Sequence, residues 1–173
     1  MNFVLHFPHR AGIQVCVDEQ VAALSFFWGD PSEFVPGAHS AGVAVLHQVG
    51  SVEEAVRAQQ AGVDVIIAQG IEAGGHVAGE VSTMVLLPRI VEAVAPALVL
   101  AAGGIADARG LAAALCLGAD GVVWARVSSP LLKRMPILST KPSAWPALRT
   151  LNRVLAMFKE RAGSRLNLGL DWD

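Results

Sequence analysis

Short apolar runs alternate along the chain with stretches in which apolar residues recur at helical spacing. The helical stretches lie at 31–42, 51–62, 83–95 and 107–118. The apolar runs predict strands at Asn2–Phe7, Val21–Gly29, Val43–Val49, Asp64–Ala68, Pro96–Ile105 and Ala119–Ala125. These runs are rich in Val, Ile, Leu and Ala without polar alternation, which is typical of parallel strands covered on both faces. The strand-then-helix order fits either a (β/α) barrel or a doubly wound sheet.

Two of the predicted helices carry terminal signals. Ser51 is a suitable N-cap, Glu54 completes a capping box, and Gly62 ends the same helix. In the second helix, Asp107 is the expected N-cap and Gly118 the expected stop. These signals fix the two helices more closely than periodicity alone.

Glycines cluster directly after two strands, in "QGIEAGGH" and "AAGGIAD". The carboxyl edge of the sheet, where these loops lie, is the ligand-binding edge of both candidate folds. Gly103 and Gly104 stand between a strand and a helix, where backbone N–H groups can approach a phosphate. A tight turn that needs positive φ explains the same pair without a ligand.

The "QGIEAGGH" loop combines several groups suited to chemistry. The Gln69 amide can hydrogen-bond a flat heterocycle, and Gly74 and Gly75 let the backbone approach that ring. His76 can take a proton from a carbon acid or hydrogen-bond an anion. The alternative is a glycine-rich surface loop with an incidental histidine. Glu72 is predicted to be a hydrogen-bonding loop residue and not a catalyst.

The remaining candidate side chains are predicted to be structural. Trp28 and Phe26 are expected to pack in the core or at its rim. The other histidines lack the paired spacing of a metal site, so no metal is predicted; they are His6, His9, His39 and His47.

Composition narrows the protein class. The chain has 173 residues, of which 53% are hydrophobic and 16% charged, enough for one domain with a large core. A net charge of -2 gives no basis for binding nucleic acid or anionic lipid. No apolar run reaches the ~20 residues of a membrane span, and no signal peptide is recognisable, so a cytoplasmic protein is expected. Cys16 and Cys116 are predicted to be buried free thiols.

The motifs together resemble the nitronate monooxygenase family, also called 2-nitropropane dioxygenases. "AQGIEAGGH" and "LVLAAGGIADARGLAAALCLGADGVVW" carry the likeness. "NFVLHFP", "LSFFWGDP" and "VGSVEEAVRAQQAGVDVIIAQG" follow the same family order, so the likeness covers Asn2 to about Trp124. The resemblance implies an FMN-binding (β/α)8 TIM barrel that oxidises alkyl nitronates or nitroalkanes with O2. FMN-dependent enoyl-acyl-carrier-protein reductase is the alternative within the superfamily.

The resemblance also implies roles for particular residues. His76 falls on the family histidine proposed as base or substrate-orienting group. The implied flavin and phosphate contacts are Asn2, Gln69, Gly74, Gly75, Gly103 and Gly104. The implied partners are a small nitronate and O2, and a homo-oligomer remains open.

Two departures from the family pattern are expected to matter. The family has two βα units before the strand that begins at Asn2, so this chain is predicted to hold strands three to eight of an incomplete barrel. A valine codon used as a start would explain Met1. After Trp124 the family pattern stops: a family-like coding string read one base later encodes Ala125 to Ile137, which predicts a frameshift. Residues 1–125 are therefore predicted to form a partial barrel and 126–173 an irregular or helical tail outside the family pattern.

These departures leave the activity of the chain itself open. An incomplete barrel exposes unpaired strand edges, so poor solubility or self-association and weak FMN binding are expected. A degenerate fragment without catalytic function is the non-enzymatic alternative.

Overall fold

Strands and helices alternate through residues 1–123, the part of the chain that the computed structural model describes. The strands are β1 (Asn2–Val4), β2 (Ala23–Phe27), β3 (Ala44–Val49), β4 (Val65–Gln69), β5 (Leu98–Ala102) and β6 (Gly121–Val123). The helices are α1 (Arg10–Asp18), α2 (Val35–Ser40), α3 (Val52–Ala61), α4 (Thr83–Val94) and α5 (Ala108–Cys116). The α/β class predicted from the apolar runs is confirmed.

The strands form one parallel sheet in the order β1-β2-β3-β4-β5-β6. Each strand therefore pairs with its neighbour in sequence, as in the register of Val65 with Leu98 and Gln69 with Ala102. A doubly wound sheet reverses its strand order at a switch point, and this sheet does not. Sequential order is the arrangement of a (β/α) barrel, so the barrel prediction is confirmed.

The two faces of the sheet differ. Ile66 and Ala68 of β4 belong to a fully buried core with Leu87 and Ile90 of α4. Because side chains alternate along a strand, Val65, Ile67 and Gln69 point to the opposite side, here called the inner face. Strand register extends the inner face across the sheet. Within residues 1–123, the helices pack on the outer face.

The predicted helix ends are confirmed in position. Ser51 Oγ accepts a hydrogen bond from Glu54 N–H at 3.1 Å, and Gly62 adopts φ 85° after α3. Glu54 Oε2 in turn accepts from the N–H of Gly50, one residue before the N-cap. Asp107 caps α5 by accepting from two backbone N–H groups of its first turn. The capping chemistry is local, which is why sequence alone predicted it.

Some predicted elements need correction. Helix α1 was not predicted, and it occupies part of the segment between β1 and β2. Strand β1 ends at Val4, so His6 lies in a turn and not on a strand. Trp124 and the following residues lie outside the described residues. They include the tail predicted to be out of frame and the helix predicted within it.

The two cysteines differ in their exposure to solvent. Cys16 is a buried free thiol as predicted, whereas Cys116 at the end of α5 is exposed, so the prediction for Cys116 was wrong. A nine-residue helix at the edge of the described fold buries only Ala114, which leaves Cys116 in solvent.

Within residues 1–123, no helix combines the length and the apolar character needed to span a membrane.

Candidate functional site

The site begins at the carboxyl end of β4, with Gln69. Its side chain lies on the inner face and is only 3% exposed. Gln69 Nε2 donates a hydrogen bond to the backbone oxygen of His76 at 2.9 Å, which closes the loop after β4. Gln69 Oε1 is buried and has no hydrogen-bond partner among residues 1–123. A buried amide oxygen without a partner costs free energy, so this atom is suited to accept a hydrogen bond from a ligand.

His76 lies at the far end of the same loop, and its side chain is exposed. Its ring approaches the indole of Trp28 edge-on, with 5.5 Å between ring centroids and 67° between planes. Trp28 directly follows β2, two strands away from β4 in the sheet. The loops after β2 and β4 therefore meet above the sheet, and the half-buried Trp28 was missed as a site residue by sequence reasoning.

The position of Trp28 did contain a signal. In "SFFWGDP" it stands between the last strand residue, Phe27, and Gly29, where the chain leaves the carboxyl edge. The indole stacks on the ring of Phe27 at 5.1 Å and is also approached edge-on by His6 at 6.1 Å. An aromatic residue at a strand end of a βα fold can line the ligand edge, and this could have marked it.

Glu72 organises the loop after β4 through hydrogen bonds to the start of α4. Its carboxylate accepts hydrogen bonds from the Ser82 hydroxyl at 2.6 Å and the Thr83 N–H at 2.9 Å. These bonds, the Ser82 one first, lower the pKa of Glu72 to about 2. Glu72 is therefore ionised at neutral pH and accepts bonds at the start of α4. The structure confirms the predicted hydrogen-bonding role.

Thr83 joins the loops after β4 and β5. Its hydroxyl lies 2.9 Å from a Glu72 carboxylate oxygen and 3.1 Å from the carbonyl oxygen of Gly103. The single hydroxyl proton serves one of these acceptors at a time. A Cβ placed at Gly103 would lie 2.8 Å from Thr83 Oγ1 and 3.0 Å from the nitrogen of Ala73. This close packing holds the two glycine loops together.

The predicted glycines divide into two kinds. Gly103 and Gly104 adopt φ 114° and 68°, conformations that L side chains rarely take. Gly75 likewise adopts a positive φ, 81°, whereas Gly74 does not. Neither Gly74 nor Gly75 has an atom within 4 Å of an added Cβ. Neither packing nor backbone conformation therefore explains the absence of a side chain at Gly74, where open space adjoins the loop of His76.

The turn after β5 presents backbone donors. Within residues 1–123, the N–H groups of Gly103 and Gly104 donate to no backbone carbonyl. Asp107 caps α5, and its other carboxylate oxygen is bound by the guanidinium of Arg109 at 2.8 Å and 3.0 Å. The Asp107 carboxylate is thus paired with a cation, which reduces its repulsion of an approaching anion. The side chain of Glu72 also adjoins the turn, since a Cβ at Gly104 would lie 3.3 Å from Glu72 Cβ.

Asn2 is placed apart from the other candidates. It pairs in register with Ser25, two residues before the carboxyl ends of β1 and β2. Alternation and register put it on the inner face together with Gln69, but two intervening strands separate β1 from β4. The structure brings together Gln69, His76 and the glycines of the two loops, and leaves Asn2 on the same face at a distance.

His47 is the one buried histidine of the described residues, and it lies outside the site. It is 3% exposed, on the helix-covered face of β3, and no atom of the described part of the chain hydrogen-bonds its Nδ1. Burial lowers the pKa of His47 to about 4, although the carboxylates of Glu54 and Asp30 act in the opposite direction. His47 is therefore a neutral packing residue. Among residues 1–123, no three His, Cys, Asp or Glu side chains gather closely enough to hold a metal ion.

Comparison with known proteins places the chain in a family. A sequence profile described as nitronate monooxygenase matches residues 2–127. The nitronate monooxygenase of Neurospora crassa is 39% identical over 126 residues, covering 65% of this chain and 33% of that protein. A carboxyl-CoA dehydrogenase of Rhodococcus jostii, named for an octahydroindene substrate, is 43% identical over 115 residues, covering 66% and 31%.

Solved structures agree with the fold. FabK from Thermotoga maritima, a barrel enzyme, superposes with a TM-score of 0.66 at 40% sequence identity. The match covers 70% of this chain and 39% of FabK. The chain spans about a third of the length of the two curated relatives described above.

Proposed function

Because the chain belongs to the nitronate monooxygenase family, we propose that it carries the ligand-binding edge of an FMN-dependent enzyme that oxidises alkyl nitronates with O2. The observation that carries this proposal is Gln69 Oε1, a buried acceptor without a partner in the loop that ends at His76. A flat heterocycle with a ring N–H is a suitable donor for that atom.

The residues present fit FMN. Gln69 Oε1 would accept from the ring system, and the open space at Gly74 and Gly75 admits a planar group. The N–H groups of Gly103 and Gly104 would hold the phosphate, which backbone donors in a glycine turn do well. When bound, FMN supplies the transfer of electrons between the nitronate and O2.

The chain's own contribution to the reaction is positioning and proton transfer. His76 projects from the loop into solvent beside an aromatic wall, so one imidazole nitrogen is available to a substrate. Its N–H form donates a hydrogen bond to a nitronate oxygen and orients the anion. Its neutral form accepts the α-proton of a nitroalkane through the unprotonated nitrogen.

The test begins with the purified chain. Reconstitution with FMN should give the absorbance of a bound flavin, and oxygen consumption should follow addition of an alkyl nitronate. His76→Ala should lower turnover by about 100-fold or more, as expected for loss of an acid–base group, while His39→Ala, remote from the loop, serves as the matched control. A protein that is colourless after excess FMN has been added and the unbound flavin removed supports the inactive-fragment alternative instead.

A second candidate is flavin-dependent chemistry on an acyl thioester, the class to which enoyl-acyl-carrier-protein reductase also belongs. The likeness to the carboxyl-CoA dehydrogenase of Rhodococcus jostii favours it. The FMN-loaded chain should be assayed in parallel for nitronate oxidation and for NADH-dependent reduction of an enoyl thioester. Turnover of the thioester without nitronate oxidation replaces the first proposal by the second.

A further inference from the structure

We propose that Trp28 is the positioning residue for His76: its indole holds the imidazole in the orientation in which it meets a substrate. The proposal deepens the proposed function, on which the role of His76 rests. It depends on the structure of the chain alone, however, and can be tested without flavin.

Trp28 is held in an unusual backbone conformation. Its φ is 55°, in the left-handed region, and Gly29 follows at φ 80°. A bulky residue in this region costs roughly 1–3 kcal/mol and persists only where its surroundings hold it. The two consecutive positive φ angles turn the chain sharply at the end of β2 and direct the indole over the carboxyl edge of the sheet.

The indole is fixed from below. It stacks on Phe27 with 5.1 Å between centroids and 15° between planes, and Phe27 itself is only 3% exposed. Phe27 belongs to β2 and pairs in register with Gln48 of β3. Stacking on a buried strand residue gives the indole a rigid base, which a surface tryptophan lacks.

His76, in contrast, has little of its own to hold it. The loop that carries it contains Gly74 and Gly75, and a Cβ added at either glycine would have no atom within 4 Å. Gln69 Nε2 fixes the backbone oxygen of His76 but not its ring. Within the described residues, the imidazole makes no hydrogen bond, and its aromatic contact is with Trp28.

Gln69 and Trp28 therefore constrain different parts of His76. The backbone of the loop is set by Gln69, and the ring direction is set by the indole through an edge-to-face contact, a favoured aromatic geometry. Loss of the indole should leave the loop in place and free the imidazole to rotate. A misplaced acid–base group can lower the rate by about tenfold to 100-fold without any change in its chemistry.

The direct test is NMR of the isotopically labelled chain without flavin. In the unmodified protein, the indole ring current should shift the ring protons of His76 away from those of a freely exposed histidine. Trp28→Leu should return them to the free values, and Trp28→Phe, which keeps a ring, should retain part of the shift. Phe34→Leu is the matched control, because Phe34 lies edge-to-face with His9 at 5.5 Å and should move His9 alone.

If leucine at positive φ prevents folding, Trp28→Gly provides the same loss of the ring without backbone strain. Far-ultraviolet circular dichroism and urea unfolding establish that each variant is folded. His76 ring protons that keep their positions in a folded Trp28→Leu or Trp28→Gly protein overturn the proposal.

Turnover adds a second readout where the FMN-loaded chain is active. Trp28→Leu should lower kcat about tenfold, with less effect on KM, and should cost nothing further in a His76→Ala background. Independent, additive losses in this double-mutant cycle contradict positioning through His76. If the unmodified chain has no turnover, the proposed function fails, and the NMR result still decides the role of Trp28.

Discussion

At the scale of single residues, the glycines after β4 serve different purposes. A Cβ at Gly70 would overlap both the hydroxyl and the backbone nitrogen of Thr83. Gly74 has no such neighbour, although both stand in one short stretch of sequence. The sequence predicted a ligand site at the glycine-rich loop, but it could not tell which glycines the protein's own packing requires.

Alanine substitution separates the two roles. Gly70→Ala should lower the free energy of unfolding by about 2 kcal/mol, because the new methyl group meets backbone that cannot move aside. Gly74→Ala should change it by no more than ~0.5 kcal/mol, yet weaken FMN binding by narrowing the open space. Urea unfolding of both variants and FMN titration of Gly74→Ala measure these effects. Equal destabilisation by the two variants contradicts the assignment.

The two cysteines offer another residue-scale prediction. Cys16 is buried on the sheet-facing side of α1, and Cys116 is exposed at the end of α5. A thiol reagent should modify one equivalent rapidly in the native protein and two in denaturant. Cys116→Ser should abolish the rapid phase, whereas Cys16→Ser should leave it intact. A rapid phase that persists in Cys116→Ser shows that Cys16 is accessible.

At the scale of elements, a helix could be predicted where the residues that start and end it lie next to it in the sequence. Helix α3 was predicted at both ends, because Ser51 and Gly62 act within one turn of the helix. Helix α1 has no such signals: its N-cap is His9 without a side-chain capping bond, its C-cap is Glu19, and it contains Gly12 among β-branched residues. Ile13 and Cys16 bury it against the sheet. This helix forms because its apolar side chains pack against the sheet and because the chain must cross from β1 to a parallel β2.

The cap of α3 can be measured directly. Ser51→Ala should lower the free energy of unfolding by about 1 kcal/mol, because the N–H of Glu54 loses its acceptor. Ser40→Ala is the matched control, since its hydroxyl only donates to the Pro36 carbonyl on the surface, and it should cost less than ~0.5 kcal/mol. Thermal or urea unfolding compares the two. A Ser51→Ala cost no larger than that of the control argues against the cap.

At the scale of the described fold, the sheet places two buried polar residues, Gln69 and His47, on opposite faces. Gln69 lies on the inner face at the ligand edge, whereas His47 is enclosed between β3 and the helices. Folding therefore buries an imidazole in its neutral form. The charged groups around it are Glu54 of α3 and Asp30 of the loop after β2, with Arg57 of α3 acting on Asp30.

This burial makes the stability of the fold depend on pH. The pKa of His47 is about 4 in the folded protein and 6.5 as a free side chain. Between these values the unfolded chain binds a proton that the folded chain does not, so stability is full above pH 6.5 and falls as the pH decreases towards 4. From pH 7 to pH 5 the expected loss is about 2 kcal/mol.

Urea unfolding at the two pH values measures the loss. His47→Leu should remove most of it, while His6→Gln, at an exposed histidine, should leave it unchanged. The lowered pKa of Glu72 adds to the loss only at lower pH, as the pH falls from 4.5 through about 2. A His47→Leu protein that loses as much stability as the unmodified chain contradicts the assignment.

The sequence by itself determined the alternation of strands and helices, the caps of α3 and α5, and the family, because each depends on neighbours in the chain or on a contiguous motif. The same motifs marked Gln69, His76 and the glycine loops. Tertiary structure decided the sequential order of the strands, the presence of α1, the exposure of Cys116 and the contact of Trp28 with His76. Each of these depends on residues far apart in the chain that only the folded sheet brings into contact.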